Sequence, residues 1–261
     1  EGHIKLDDTL LVHSSLSSLG HVVGGPEAVV DALMAVVTDG TLMMPTFTQD
    51  ARKYRYAYQY IKADEVFYPE KTPSKTGIIT ERFRLRDGVT RSLHPWLSFA
   101  ALGKNAKKLL DGQEKHVKPY GTGTPLHTLI KLDGKVLLVG VGWNRNTSFH
   151  VVENTTSYPF KVYFDDVATM RYHDSGIKEM KTLVPRPRIH GDWEAYGDHL
   201  DSSFGLTEKI HIGKAVCRLF NARDFYGAIC EAVSEGDIPY EERNLNSKIK
   251  NNVNLNISYE R

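Results

Sequence analysis

The sequence has 261 residues, 41% of them hydrophobic, with 33 Lys and Arg against 32 Asp and Glu. That length and apolar content suffice for a sizeable core, and the charge balance excludes the basic surplus of a bulk nucleic-acid binder. The longest apolar runs, such as Val136 to Val141, are far too short to span a bilayer, and no basic-then-apolar leader opens the chain, so no membrane partner and a cytoplasmic location are expected.

Thr9-Leu10-Leu11-Val12-His13 is a short, partly branched apolar run that suits a buried strand. A loop of Ser and Gly follows from Ser14 to Gly25. Pro26 and Glu27 then open a helix, Pro suiting the first helical position and Glu the N-terminal dipole. Val29, Val30, Leu33, Val36 and Val37 continue it at helical spacing until Asp39-Gly40 stops it, and Thr41 to Met44 is a second strand. This β-α-β unit predicts two parallel strands with a right-handed crossover. The Ser14-Ser15-Leu16-Ser17-Ser18 loop between strand and helix offers hydroxyls and backbone N–H groups for a phosphate but has no Walker lysine; an ordinary polar turn is the alternative.

The Tyr- and Lys-rich stretch from Arg52 to Lys75 reads as helix or loop lying over the sheet. Thr90-Arg91-Ser92-Leu93-His94-Pro95 gathers a forked cation, a hydroxyl and a histidine. Arg91 there suits either a bidentate phosphate contact or a structural ion pair, and the sequence does not rank the two. After the Asp133-Gly134 turn, Val136 to Val139 is a third strong strand, ending in Gly140-Val141-Gly142. That is not a dinucleotide fingerprint, because Arg145 occupies the third glycine position and no acid follows at the expected distance.

Asn146-Thr147-Ser148-Phe149-His150-Val151-Val152-Glu153 carries the most chemistry. With Thr147 as the cap of a helix, His150 falls in the first turn, where the dipole disfavours imidazolium, and Glu153 lies three residues on along the same face. A neutral imidazole is what a general base needs near pH 7. A satisfied histidine beside a surface glutamate is the plainer alternative. A zinc reading lacks the second spaced histidine, and no metal is expected.

Residues 160–175 alternate apolar and polar and predict a hairpin, and Val184 to Asp201, with Pro185 and Pro187, predicts a long surface excursion. Ala215 to Leu219 reads as a strand and Arg223 to Val233 as a closing helix. Cys217 and Cys230 have no metal-like spacing and are expected as reduced, buried thiols. The expected fold class is a single α/β domain over residues 1–243 with a mixed central sheet flanked by helices, followed by a polar extension over residues 244–261. His13-Ser14-Ser15, Pro45-Thr46 and Gly140-Val141-Gly142 end their strands and are expected to meet at one crevice.

Taken in order, these segments resemble the antibiotic N-acetyltransferase (aminoglycoside 3-N-acetyltransferase) family. The matching pieces are Leu11 to Gly20, Gly24-Gly25, Gly40 to Phe47, Gly77, Phe83-Arg84, Arg91 to Pro95, Ser98 to Ala101, Thr124-Pro125-Leu126 and Leu137 to Glu153, with a weaker echo from Gly213 to Arg223. The resemblance implies an α/β fold distinct from GCN5-like acetyltransferases, acetyl-CoA as co-substrate, and a small-molecule amine as acceptor, typically the 3-amino group of a 2-deoxystreptamine aminoglycoside. It places the catalytic histidine on His150, its acidic partner on Glu153, and Thr147 beside the thioester. It places the CoA cradle on His13, Ser14, Ser15, Leu16, Arg91, Ser92 and Ser98.

The chemistry agrees: a base must take a proton from the amine as it attacks, and the Thr147 hydroxyl or nearby N–H groups suit the developing oxyanion. The family often has Ser where this chain has Thr124. On the acceptor side, residues 151–205 hold nine acids against six Lys and Arg, only a weak anionic bias. Glu153, Asp166, Asp198 and Asp201 are the candidates there, and Arg186 and Arg188 lie within the predicted excursion. The same chemistry on another amine, or a CoA-binding module without turnover, are the alternatives.

Overall fold

A computed structural model describes residues 3–156, 162–186 and 192–237. The expected extension over 244–261, and Arg188, lie outside the described residues.

The chain opens with β1 (Thr9–Ser14), α1 (Gly25–Val36) and β2 (Thr41–Pro45), the β-α-β unit expected from the sequence. Next come α2 (Ala57–Ile61), β3 (Val66–Phe67), α3 (Ile78–Arg84), β4 (Thr90–Arg91) and β5 (Phe99–Gly103). They are followed by α4 (Ala106–Leu110), α5 (Pro125–Lys131), β6 (Lys135–Val139) and α6 (Phe149–Thr155). The remainder is β7 (Tyr163–His173), β8 (Ile177–Pro185), α7 (Trp193–Phe204), β9 (Glu208–Ile212), β10 (Ala215–Asn221) and α8 (Ala222–Ser234).

Seven strands form a mixed sheet in the order β4-β5-β2-β1-β6-β10-β9. β1 lies at its centre, parallel to β2 on one side and to β6 on the other, and the outer strands are antiparallel. Because side chains alternate across a strand, Leu10 and Val12 enter one core with Val30, Leu33 and Phe83, while Leu11 enters the other with Val136, Leu138 and Trp143. Burial on both faces explains why β1 and β6 read as unbroken apolar runs rather than alternating ones. The carboxyl ends of β1, β2 and β6 open on one edge, where open α/β sheets take ligands.

A second, three-stranded sheet runs β3-β7-β8. The hairpin expected within 160–175 is instead the single strand β7, and β8 supplies its antiparallel partner across the turn before Ile177. The expected surface excursion over 184–201 is largely ordered structure: β8 runs to Pro185, and α7 begins after Asp192, whose carboxylate accepts from the Ala195 N–H at 3.0 Å. Residues 187–191 lie outside the described residues. Residues 52–75 contain a short helix and a two-residue strand rather than one element.

Candidate active site

Between the ends of the parallel strands lies a crevice of about 1080 Å³ lined by His13, Ser14, Ser15, Leu16 and Ser17 from β1 and its loop. Lys75 to Thr80 line it from before and within α3, and Gly140 to Gly142, Asn144, Arg145 and Thr147 line it from the loop after β6. Gly140 sits at φ +60° where a Cβ would stand 2.4 Å from Ser18 Cβ and 2.9 Å from Ala215 Cβ, so only glycine lets the loop leave the sheet there. His13 is buried at the end of β1, and desolvation pulls its pKa down to about 3, leaving the ring neutral at physiological pH. Its Nε2 lies 3.4 Å from the Thr147 hydroxyl. The Ser14 hydroxyl is buried and has no hydrogen-bond partner among the described residues. Small residues, hydroxyls, the cations Lys75 and Arg145, and this unpartnered donor suit an elongated, phosphate-bearing ligand.

A smaller cavity of about 280 Å³ lies on the other side of the loop that follows Gly142. It is lined by Arg55, Tyr56, Ala57, Trp96, Tyr120, Trp143, Asn144, Asn146, Phe149, His150, Pro185, Arg186 and Trp193. Asn144 lines both spaces, and the rest of the loop from Gly142 to Thr147 lines one or the other, so this loop is shared between them.

His150 is the second residue of α6. The cap is Ser148, not Thr147 as the sequence suggested: the Asn146 side-chain oxygen accepts the Ser148 N–H at 3.1 Å, and Thr147 turns toward His13. His150 remains in the first turn, its N–H donating to the Thr147 carbonyl at 3.1 Å. Its Nδ1 lies 3.0 Å from Glu153 Oε2, and the ring packs at 4.9 Å from Tyr120 and edge-on at 6.1 Å from Trp193. The His150 side chain is 20% exposed and that of Glu153 only 1%. When Glu153 is ionised its carboxylate only accepts, which puts the His150 proton on Nδ1 and leaves Nε2 as the basic nitrogen. Asn154 fixes the backbone below, donating to the His150 carbonyl at 2.7 Å and accepting from the Tyr163 hydroxyl at 2.9 Å.

His13, Ser14, Ser15, Leu16 and Thr147 thus share the crevice, and His150 lines the smaller cavity, tied to Thr147 by its backbone N–H. Arg91, Ser92 and Ser98, expected in the CoA cradle, do not line it. Arg91 donates to the Thr46 hydroxyl at 3.1 Å, to Ser98 Oγ at 3.0 Å and to the carbonyls of Pro69, Thr72 and Thr46. Burial lowers its pKa to about 9, still protonated at neutral pH. Ser92 accepts the Phe99 N–H at 2.9 Å and donates to Gln113, and Ser98 donates to the Thr46 carbonyl at 2.8 Å. All three brace the β2–β5–β4 end of the sheet, where Arg91 spends its donors on carbonyls and hydroxyls rather than on the structural ion pair expected as one of its two readings.

The expected acceptor-side carboxylates are also elsewhere. Asp166 is exposed on β7. Asp198 accepts from Trp143 Nε1 at 3.0 Å and pairs with Arg218 at 3.4 Å. Asp201 accepts from the Thr207 N–H and hydroxyl at 2.8 and 2.7 Å, closing the turn after α7. Glu153 lies beneath His150 and is too buried to meet a cationic substrate. The sequence reading missed Lys75 and Thr76 in the crevice and Arg55, Trp96, Tyr120 and Trp193 in the cavity. Only the density of Tyr and Arg around residue 55 hinted at an aromatic wall.

The family model for aminoglycoside 3-N-acetyltransferase matches residues 11–233. Aminoglycoside N(3)-acetyltransferase VIII of Streptomyces fradiae is 35% identical over 244 residues, covering 83% of this chain and 82% of its own. Among solved structures, the aminoglycoside acetyltransferase AAC(3)-Xa superposes with a TM-score of 0.76 at 27% identity, covering 90% of this chain and 88% of that one. A histidine-to-alanine variant of AAC(3)-IVa in complex with a gentamicin superposes with a TM-score of 0.72 at 26% identity, covering 90% and 85%.

Proposed function

Because the chain belongs to the aminoglycoside 3-N-acetyltransferase family and is therefore an acyltransferase, we propose that it moves the acetyl group of acetyl-CoA onto a primary amine, the 3-amino group of a 2-deoxystreptamine aminoglycoside, with His150 as general base. One observation carries this reading: His150, braced by the buried Glu153 at 3.0 Å, lines the small cavity and donates its N–H to the carbonyl of Thr147, which lines the large crevice.

Acetyl-CoA supplies the activated thioester. His13 to Ser17, Lys75 and Arg145 hold it along the crevice, and Thr147, beside the neutral His13, offers a hydroxyl to the crevice. An ammonium is not nucleophilic, so His150 Nε2 takes a proton as the amine attacks, and Glu153 holds the ring in the tautomer that permits it. The rings of Tyr120 and Trp193 limit the imidazole's motion and exclude water from one side. Holding both reactants on either side of one short loop supplies the proximity component. Gentamicin in a relative's site motivates the acceptor. The test is CoA-thiol release from acetyl-CoA with a panel of aminoglycosides, followed by locating the acetyl group in the product. Acetylation at the 3-amino position supports the reading; acetyl-CoA binding without turnover of any aminoglycoside removes the acceptor from it.

A further inference from the structure

The cavity beside His150 is an aromatic cage with cations at its edge. Trp96, Trp143, Trp193 and Tyr120 line it, and so do Arg55 and Arg186. Both arginines are exposed, and neither makes an ion pair with a described residue. Each guanidinium rests over a ring instead, Arg55 at 5.3 Å from Tyr56 and Arg186 at 5.6 Å from Phe164. Among the described residues no Asp or Glu lines the cavity. Asn146 adds an independent sign. It lines the cavity, is only 4% exposed, and spends its side-chain oxygen on the Ser148 N–H, leaving a buried Nδ2 donor with no partner among the described residues.

Guanidinium groups match carboxylate and phosphate oxygens in a bidentate geometry, and two of them without counter-charges disfavour a polycation in the same space. The aromatic walls favour a flat apolar body and tolerate an ammonium against their faces. We propose that the protein has a second acceptor class: amines that carry an oxyanion, carboxylate or phosphate, on an aromatic or flat apolar body. The oxyanion is held at Arg55 and Arg186, and the amine points to His150.

This rests on the acetyl-transfer reading above. The amine nitrogen attacks the thioester carbonyl carbon, the C–N bond forms and the C–S bond breaks. Of the two protons the ammonium loses, one passes through His150 to the leaving sulfur and the other goes to solvent, so ammonium and acetyl-CoA give amide, CoA thiol and one proton.

The experiment measures CoA-thiol release with 4-(aminomethyl)benzoate, 4-(aminomethyl)phenyl phosphate, benzylamine and gentamicin, for the parent and for an Arg55→Glu, Arg186→Glu double variant. Both positions are exposed, so the variant folds, which circular dichroism verifies. The expected result is a kcat/KM for at least one oxyanion-bearing amine about tenfold above that for benzylamine, lost in the double variant, as befits a pair of partly solvated charge contacts. The carboxylate and phosphate arms tell which oxyanion is preferred. Raising the salt concentration lowers kcat/KM for these amines and raises it for gentamicin, because screening weakens attraction and repulsion alike. Equal rates for benzylamine and both anionic amines, unaltered in the variant while gentamicin is acetylated, overturn this inference and leave the acetyl-transfer reading standing. Release with none of the four amines overturns both.

Discussion

His150 and Glu153 were legible because a helix places residues three apart on one face, and that spacing survives any error in where the helix begins. What the sequence did not carry was direction. Arg91, Ser92 and Ser98 have the residue types of a phosphate cradle, yet they turn into the sheet, where backbone carbonyls and neighbouring hydroxyls satisfy them. Side-chain direction at the end of a two-residue strand depends on pairing with β5, which no local pattern encodes. The role given to Glu153 predicts that Glu153→Gln, which keeps the shape and removes the charge, lowers kcat by about 100-fold with KM little changed. Steady-state CoA release reads this directly, and an unaltered kcat would show that the carboxylate does not serve the base. Thr147→Val, which keeps the volume and removes the hydroxyl facing His13, is expected to lower kcat by about tenfold, the scale of one lost hydrogen bond. A fall in acetyl-CoA affinity alone would assign Thr147 to binding rather than to turnover.

Strong elements were readable and marginal ones were not. β1, β2 and β6 carry unbroken apolar runs because the sheet is covered on both faces, and α1 carries a helical pattern because one face, through Val30 and Leu33, is buried. β7 alternates only toward its end, where Met170 and Tyr172 are buried, and such a run does not reveal that its partner is β8 rather than its own second half. α7 escaped notice because its sequence is polar, with one apolar stripe through Tyr196 and Leu200. Its packing against the loop from Gly142 to Thr147 depends on Gly197: a Cβ there would stand 2.2 Å from the Trp143 ring. Trp143 in turn stacks on Phe225 at 5.4 Å and donates to Asp198, the residue after Gly197 on α7. Gly197→Ala is therefore expected to destabilise the fold by about 1–3 kcal/mol through overpacking, despite alanine's better helix propensity. A urea midpoint equal to or above that of the parent would contradict the packing described.

At the scale of the molecule, the near-neutral charge hides two neutral histidines buried in the sheet region. His13 and His94 are both pulled down to about 3 by desolvation, and His94 accepts two backbone N–H groups, from Trp96 and Leu97, on its Nδ1. In the unfolded chain both titrate near their ordinary value of 6.5. Folding thus holds them unprotonated, and stability that is complete above pH 6.5 falls as the pH drops toward 3, at about 1.4 kcal/mol per pH unit for each histidine. Urea midpoints at pH 7, 6 and 5 are expected to fall steadily, with roughly half the slope in His94→Asn, whose side-chain oxygen still accepts from the loop. Midpoints that stay flat from pH 7 to 5 would mean the histidines are not buried as neutral rings. The whole-chain reading of family and sheet followed from several weak motifs in a fixed order. The acceptor side did not, because its lining comes from segments as distant as Arg55 and Trp193, brought together only by the fold. The most direct test of the central claim is CoA-thiol release by the parent and by His150→Ala with saturating acetyl-CoA and an accepted aminoglycoside, alongside calorimetric binding of acetyl-CoA. The account predicts a loss of at least about 100-fold in kcat with acetyl-CoA binding intact; turnover within a few-fold of the parent would contradict His150 as the base.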